Sequence, residues 1–414
     1  MKLKILFLLP AVILLFSCNK DEISEKQADT FIKFFTDGDM MITGADIKQA
    51  SDGGYVMLGT GTYNEGSSKE GTSDIYLAKT DKFGQAESWS PVMIGGEFDE
   101  VGNRLEILDD GYLIFGNSDD SGDGNFDMYL VKTNFQGSVT WEQTYGNNLN
   151  NNGSDVKVLD NGGFVLAGYY TRTYIDPVSF EEKTTIDPLI LETDASGVQV
   201  GVDYNAGEDQ FHEIPIAVLP TASGYLVIGK KVDVATNESD LWMLLLPNLG
   251  YASPILNVPV ADGRDAYGVD LCITDDDRIF FLANREQASG GRLEAIVGEV
   301  DVSTLRVTQT FEPFFIKTES TASMVVNDLK YSPDNSLVIT GGKSIAGSSD
   351  MLFLKLDLSG AEMQRHFFGE SGSQTGNAIC CTSDLGYIIV GTNAFEGVLS
   401  MIALVKTGPD GTLN

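Results

Sequence analysis

A five-residue apolar run, usually closing on glycine, returns along almost the whole chain. It reads Tyr55-Val56-Met57-Leu58-Gly59, Tyr112-Leu113-Ile114-Phe115-Gly116 and Phe164-Val165-Leu166-Ala167-Gly168. It returns as Tyr225-Leu226-Val227-Ile228-Gly229, Ile279-Phe280-Phe281-Leu282-Ala283, Leu337-Val338-Ile339-Thr340-Gly341 and Tyr387-Ile388-Ile389-Val390-Gly391. The copies lie roughly 50–60 residues apart, and a fixed period of that size marks units that bury their faces against one another. The runs are continuous rather than alternating, which suits a strand covered on both faces.

Around each run the unit is legible. An apolar strand and an Asp-Gly-Gly type of turn precede it, and a loop follows. A third strand then opens on Asp, as in Asp74-Ile75-Tyr76-Leu77, Asp127-Met128-Tyr129-Leu130, Asp240-Leu241-Trp242-Met243 and Asp350-Met351-Leu352-Phe353. It exits through turns such as Lys79-Thr80-Asp81 to Gly84 and Lys132-Thr133-Asn134 to Gly137, where Asp or Asn supplies a local hydrogen bond and Gly a positive φ. A fourth, weaker strand carries Trp89 and Trp141 at matching places. These units resemble the bacterial β-propeller repeats of Bacteroidota lipoproteins, over roughly residues 31–410. The fold expected is all-β: a seven-bladed β-propeller with four-stranded blades, spanning residues 31–414. The last unit ends at Lys406-Thr407 without an outer strand. Phe31-Ile32-Lys33-Phe34-Phe35 is the expected replacement, closing the ring and removing an exposed edge.

Ahead of the repeats, Lys2 and Lys4 precede an apolar stretch, Ile5 to Phe16, too short to span a bilayer. It ends in Leu15-Phe16-Ser17-Cys18, which resembles the lipobox of bacterial lipoproteins. The resemblance implies a signal peptide over residues 1–17, lipidation of Cys18 and a polar tether over residues 18–30. Asn19-Lys20-Asp21-Glu22 resembles the start of surface-exported Bacteroidota lipoproteins, implying a lipid-anchored place on the outer membrane, at the cell surface. The membrane is then met through the anchor alone, by an expected monomer. Cys272, Cys380 and Cys381 remain, an odd number without framework spacing, and are read as free buried thiols.

A formal net charge of −33 disfavours nucleic acid as a partner. It fits either a soluble extracellular surface or a face that attracts cations. In a propeller the loops that vary in length share one face, and binding chemistry is expected there. The longest insertion carries Tyr170, Tyr174 and Phe180, placed either to stack on a ligand or to pack the loop on its neighbour. Asp119, Ser121, Asp123 and Asn125 resemble part of a calcium loop but lack its closing glutamate. Calcium is thus a possible cofactor there and no other is expected, while the same residues also suit a plain hairpin. Asp46, Asn103, Asp155, Glu213, Asp270, Asp328 and Asn377 are expected to line the channel mouth. They either attract a cationic ligand or bond neighbouring backbones.

With two histidines, no Gly-x-Ser-x-Gly elbow and no paired Cys-x-x-Cys, catalytic constellations are scarce. The leading expectation is a non-catalytic binding or scaffold lipoprotein that recognises a glycan or protein through its loop face. The alternative is a secreted polysaccharide hydrolase or lyase using channel-mouth carboxylates.

Overall fold

The computed structural model describes residues 30–38, 40–119, 121–247, 249, 264–288, 290–302, 314–315, 322–369, 372–394 and 400–413. The signal segment, Cys18 and the tether up to residue 29 lie outside them. No helix occurs among the described residues, and the fold is an all-β propeller. The first sheet runs Met40–Gln49, Tyr55–Tyr63, Ser73–Thr80 and Val92–Ile94. The second comprises Glu100–Leu108, Gly111–Ser118, Asp127–Thr133 and Val139–Tyr145. The third comprises Asn151–Val158, Phe164–Ile175, Glu182–Thr193 and Gln199–Tyr204. Phe211–Thr221, Gly224–Asp233 and Ser239–Leu246 form the fourth. Ala266–Ile273, Ile279–Glu286, Leu293–Val300 and Phe314–Phe315 form the fifth.

The remaining eight strands make one continuous sheet. Ser323–Ser332, Ser336–Ile345, Ser348–Asp357 and Glu362–Phe368 form one half; Ser373–Cys381, Tyr387–Ala394, Met401–Thr407 and Phe31–Phe35 form the other. This departs from the expected seven separate four-stranded blades: five sheets stand alone and one is double. A single parallel bridge, Ser349 to Ser373, joins its halves. The fourth sheet has three strands among the described residues. Phe31–Phe35 pairs antiparallel with Met401–Thr407, from Phe31 opposite Lys406 to Phe35 opposite Ile402.

The first strand of each unit is the inner one. Inner strands lie side by side in a closed cycle, the one at Ser373–Cys381 returning to the one at Met40–Gln49. Apolar seams fill the space between sheets: Val56, Leu58, Ile75 and Leu77 meet Leu105, Ile114 and Val131. The last seam joins Val390, Ile402 and Leu404 to Ile42, Tyr55 and Met57. The repeated runs are therefore buried on both faces, and their continuity follows from that.

The inner strands share an irregularity. Each of seven carries a β-bulge, between Gly44 and Asp46, Gly102 and Arg104, Gly153 and Asp155, and Pro215 and Ala217. The others lie between Gly268 and Asp270, Val326 and Asp328, and Gly376 and Ala378. The bulge explains the glycine that closes six of the seven apolar runs, the fifth closing on the small Ala283. A Cβ on Gly59 would lie 2.2 Å from the Thr43 carbonyl oxygen, and one on Gly116 1.8 Å from that of Val101. The bulged strand presses its carbonyl onto the neighbouring strand, and no side chain fits beneath it.

The turn motifs are coupled in the same way. Lys79, Lys355 and Lys406, from the third strands, are buried and reach Asp52, Asp334 and Asp384 of the Asp-containing turns at 2.8, 2.5 and 2.9 Å. Lys132 and Asp110 repeat the contact at 2.7 Å. In the fifth sheet the polarity reverses, with Arg278 in the turn paired to Glu299 on the strand. Asp-Gly-Gly and Lys-Thr-Asp are thus two halves of one ion pair.

Asp46 is buried and accepts from its own Ile47 N–H at 2.7 Å and from Leu105 N–H of the second sheet at 2.9 Å. Asp46→Ala strands two buried donors and is expected to cost roughly 2–6 kcal/mol, at roughly 1–3 kcal/mol each. Asp46→Asn, which keeps an acceptor, is expected to cost less. Denaturant unfolding of both variants checks this, and equal losses would contradict the hydrogen-bond account.

Candidate functional site

The bulges rearrange the predicted ring. An extra residue ahead of each shifted pair means that a straight count along the sequence mixes rows. Asp46, Asp155, Asp270 and Asp328 share one row with Arg104, Ala217 and Ala378, immediately after the bulge. Asn103 and Asn377 are the bulged residues themselves, one row further on. Glu213 lies two residues before Pro215 and pairs with the buried Lys231 at 2.9 Å. It is not part of the ring.

The four aspartates are clasps rather than an open acidic mouth. Asp155 accepts from Val218 N–H at 2.9 Å, Asp270 from Leu329 N–H at 3.1 Å and Asp328 from Ile379 N–H at 2.7 Å, each on the next inner strand. Where alanine precedes, the aspartate also serves its own strand: Asp270 follows Ala217 and takes Leu271 N–H at 2.8 Å, and Asp46 follows Ala378 and takes Ile47 N–H. Four carboxylates thereby satisfy six bulge donors, and all four are buried. Arg104 breaks the row, being unable to accept.

Cations offset this buried charge. Lys157 reaches Asp155 at 2.8 Å, and Lys48 reaches Glu106 at 3.2 Å. Arg104 Nε donates to Asp155 at 3.3 Å. Lys330 lies between Asp270, at 3.1 Å, and Asp328. Burial pushes the Asp270 carboxyl up, but Lys330, Lys157 and Arg104 outweigh it and hold the group below its ordinary range. For Asp328, burial and the neighbouring Asp270 prevail over Lys330, and its carboxyl is raised.

Above the clasps opens a cavity of about 700 Å³. Its lining is mostly amide and hydroxyl: Asn103, Asn117, Asn152, Asn327, Asn377, Thr43, Thr60, Thr375, Thr392, Ser154 and Tyr169, with Arg104 its one charged side chain. Several of these groups also lock the sheets together. Asn103 Nδ2 donates to the Gly153 carbonyl at 2.6 Å, Asn377 Nδ2 to that of Gly44 at 2.6 Å and Asn327 Nδ2 to that of Gly376 at 2.8 Å. Thr60, Asn117 and Thr392, each directly after a run-closing glycine, accept from Gly102, Gly153 and Gly44 N–H. In the third sheet that place holds Tyr169, opposite Pro215, which has no N–H to offer. Its hydroxyl has no protein partner among the described residues, and burial raises it above its ordinary value. The Oδ1 atom of Asn377 is likewise unpartnered. Sequence reasoning missed Tyr169 and Arg104; the signal available was that each replaces a residue type that recurs at its place in other units, Thr or Asn for Tyr169 and Asp for Arg104.

The aromatic insertion is a long hairpin. Tyr170 and Tyr174 donate to the Asn205 and Asp209 carbonyls, both at 2.9 Å, so these two rings pack the hairpin onto the linker to the fourth sheet. Arg172 joins them by bridging Asp187 and Asp209. Phe180 is 80% exposed at the tip, next to the exposed Val178. In the calcium-like loop, Asp119 is buried and spends its oxygens on Gly122 N–H at 2.7 Å and Gly124 N–H at 2.9 Å. Asp123 accepts from Asn125 N–H at 2.9 Å, and Ser121 lies between Asp119 and Asp123. The loop is thus built as a turn, and no cluster of His, Cys, Asp or Glu suited to a metal occurs among the described residues. His212 is held below its ordinary value by burial, and its Nδ1 accepts from Ile186 N–H. Cys272 is buried, and it, Cys380 and Cys381 are free.

A second cavity, about 770 Å³, lies at the perimeter between Val92–Ile94 and Val139–Tyr145. Tyr129 donates to Glu142 there at 2.5 Å, while Glu100 is occupied by Gly96 N–H and Ser118. The central mouth, fed by several sheets and holding uncommitted polar groups, is the stronger site.

No family model and no curated protein matches the chain. Solved structures do. An ulvan lyase, a polysaccharide lyase, superposes with a TM-score of 0.56 at 11% identity, covering 89% of this chain and 92% of that one. A protein of unknown function from Dyadobacter fermentans does so with 0.51 at 10% identity, covering 91% and 98%. The periplasmic gluconolactonase of Pseudomonas aeruginosa reaches 0.49 at 13%, covering 90% and 98%. At these identities the likeness is one of fold, an all-β propeller.

The raised Asp328 carboxyl makes stability depend on pH. Its folded value lies above the unfolded value of about 4, so its contribution is full in acid and is lost as pH rises through the folded value. Between pH 5 and 8 this group is expected to lower stability with rising pH, and Asp328→Asn to flatten that slope. Denaturant unfolding across the range measures it; a parallel slope in the variant would refute the assignment.

Proposed function

We propose that the chain acts on a polysaccharide at the central mouth, as a hydrolase or lyase. The observation that carries this is the roughly 700 Å³ mouth itself. Amides and hydroxyls converge there from several sheets, with the Tyr169 hydroxyl left without a protein partner among the described residues. Such groups suit the hydroxyls of a sugar chain, and a largely preformed cavity with a few convergent polar groups is the usual form of a small-ligand site. The propeller fold shared with a polysaccharide lyase is compatible with this reading.

The chemistry differs from the carboxylate route expected at first. Asp46, Asp155, Asp270 and Asp328 are buried in clasps, so they are poorly placed to move protons to and from a substrate. Tyr169 takes the acid's part in the proposal: its phenol, without a protein partner among the described residues, donates its proton to the leaving oxygen as the glycosidic bond breaks. The clasped carboxylates also favour a second reading, a non-catalytic glycan receptor using the same mouth. Either way we place the chain at the cell surface on a Cys18 lipid anchor, with the double sheet counting as two blades of a sevenfold ring. Seven bulged inner strands support that count.

Incubation with a polysaccharide panel, read by new reducing ends and by unsaturated products, tests the proposal. Tyr169→Phe is expected to keep stability within about 0.5 kcal/mol, as for a change that breaks no internal bond. It is also expected to cut product release by about 10-fold or more. Binding without product would favour the receptor; neither binding nor product would overturn both readings.

A further inference from the structure

The one charged side chain that lines the mouth is a cation. Formal charge is −33, yet the carboxylates nearest the channel spend their oxygens on bulge N–H groups and lysines. What lines the cavity is neutral amide and hydroxyl, a few apolar groups such as Val101 and Ile216, and a single guanidinium. Arg104 is 20% exposed in its side chain and donates to Asp155 through Nε. Its two Nη groups have no protein partner among the described residues. Asp155, Asp46, Asp270 and Asp328 together outweigh burial and keep the guanidinium charged.

The position of Arg104 is the second observation. Four of the seven places in its row hold aspartates that clasp the next strand, and two hold alanines whose task passes to the following aspartate. Arg104 does neither. It accepts nothing, gives one bond to the Asp155 carboxylate already held by Lys157, and lines the cavity with its Nη groups left without a protein partner among the described residues. A guanidinium anchored through Nε and open at its Nη end matches a planar carboxylate in a way a lysine does not.

We propose that the mouth selects an acidic saccharide, with Arg104 pairing to the carboxylate of a uronic-acid residue while the surrounding amides take its hydroxyls. This rests on the saccharide reading above and narrows its substrate class. Arg104 is a specificity residue in the proposal, and Tyr169 remains the group that handles the proton.

The test uses three uronate oligosaccharide backbones, galacturonan, alginate and glucuronan, each as the free acid and as its carboxyl-reduced neutral counterpart. Binding to the full chain is measured by calorimetry near 0.15 M salt, where the long-range repulsion of the acidic surface is screened beyond about 8 Å. At least one free acid is expected to bind about 10-fold or more tightly than its reduced form, a difference near 1.4 kcal/mol. Arg104→Gln is expected to remove that preference while leaving the weaker neutral binding in place, and Arg104→Lys to restore only part of it. Asp155 keeps Lys157 and Val218 N–H in both variants, so their unfolding midpoints control for structural damage. Equal binding of acid and reduced forms, or a preference that survives Arg104→Gln, overturns the acidic-substrate proposal and spares the saccharide reading. Failure of all six ligands overturns the acidic-substrate proposal, and if the wider polysaccharide panel also fails, the saccharide reading falls with it.

Discussion

A bulge in each inner strand is the constraint on which the rest depends. Inserting one residue frees backbone groups from the ladder at the point where sheets converge, and buried N–H groups must find partners. The protein supplies them from the neighbouring sheet: aspartates take the N–H after the bulge, and Thr60, Asn117 and Thr392 after run-closing glycines take the one at its start. The same hydrogen bonds that satisfy the strands therefore hold sheet to sheet. A ring built this way is stitched by polar groups near its centre and by apolar seams further out.

This arrangement decides what is left for function. A carboxylate buried between two strands and bonded to both costs a great deal to expose, so Asp46, Asp155, Asp270 and Asp328 belong to the framework. Functional capacity moves to places where the framework needs nothing. Pro215 has no N–H, which releases Tyr169 from a clasping role, and Arg104 occupies an aspartate position without doing an aspartate's work. Both side chains line the same mouth.

Much of this was readable in the residues. The apolar runs, the Asp-opened third strands and the paired turn motifs are local patterns, and the strand Phe31–Phe35 stood out as a segment without a unit of its own. The aromatic hairpin was located correctly, but its tyrosines proved to be spent on the linker at Asn205 and Asp209. Of the expected channel-mouth residues, Asn103 and Asn377 line the cavity, whereas Asp46, Asp155, Asp270, Asp328 and Glu213 do not, since a straight count along a strand cannot detect a bulge. A one-residue shift exchanges the faces of everything beyond it.

By itself the sequence determined the repeat, the all-β propeller class and the presence of its two turn motifs, because those follow from hydrophobic runs and turn chemistry within some fifty residues. Only the tertiary structure decided which acids are clasps, which sheets merge through Ser349 and Ser373, and which side chains face the mouth. Those outcomes depend on contacts between units, such as Asp46 with Leu105 and Asn377 with Gly44, where residues far apart in sequence share one hydrogen bond. Composition reports the sum of charge, −33, whereas the fold decides which of those charges a ligand can reach.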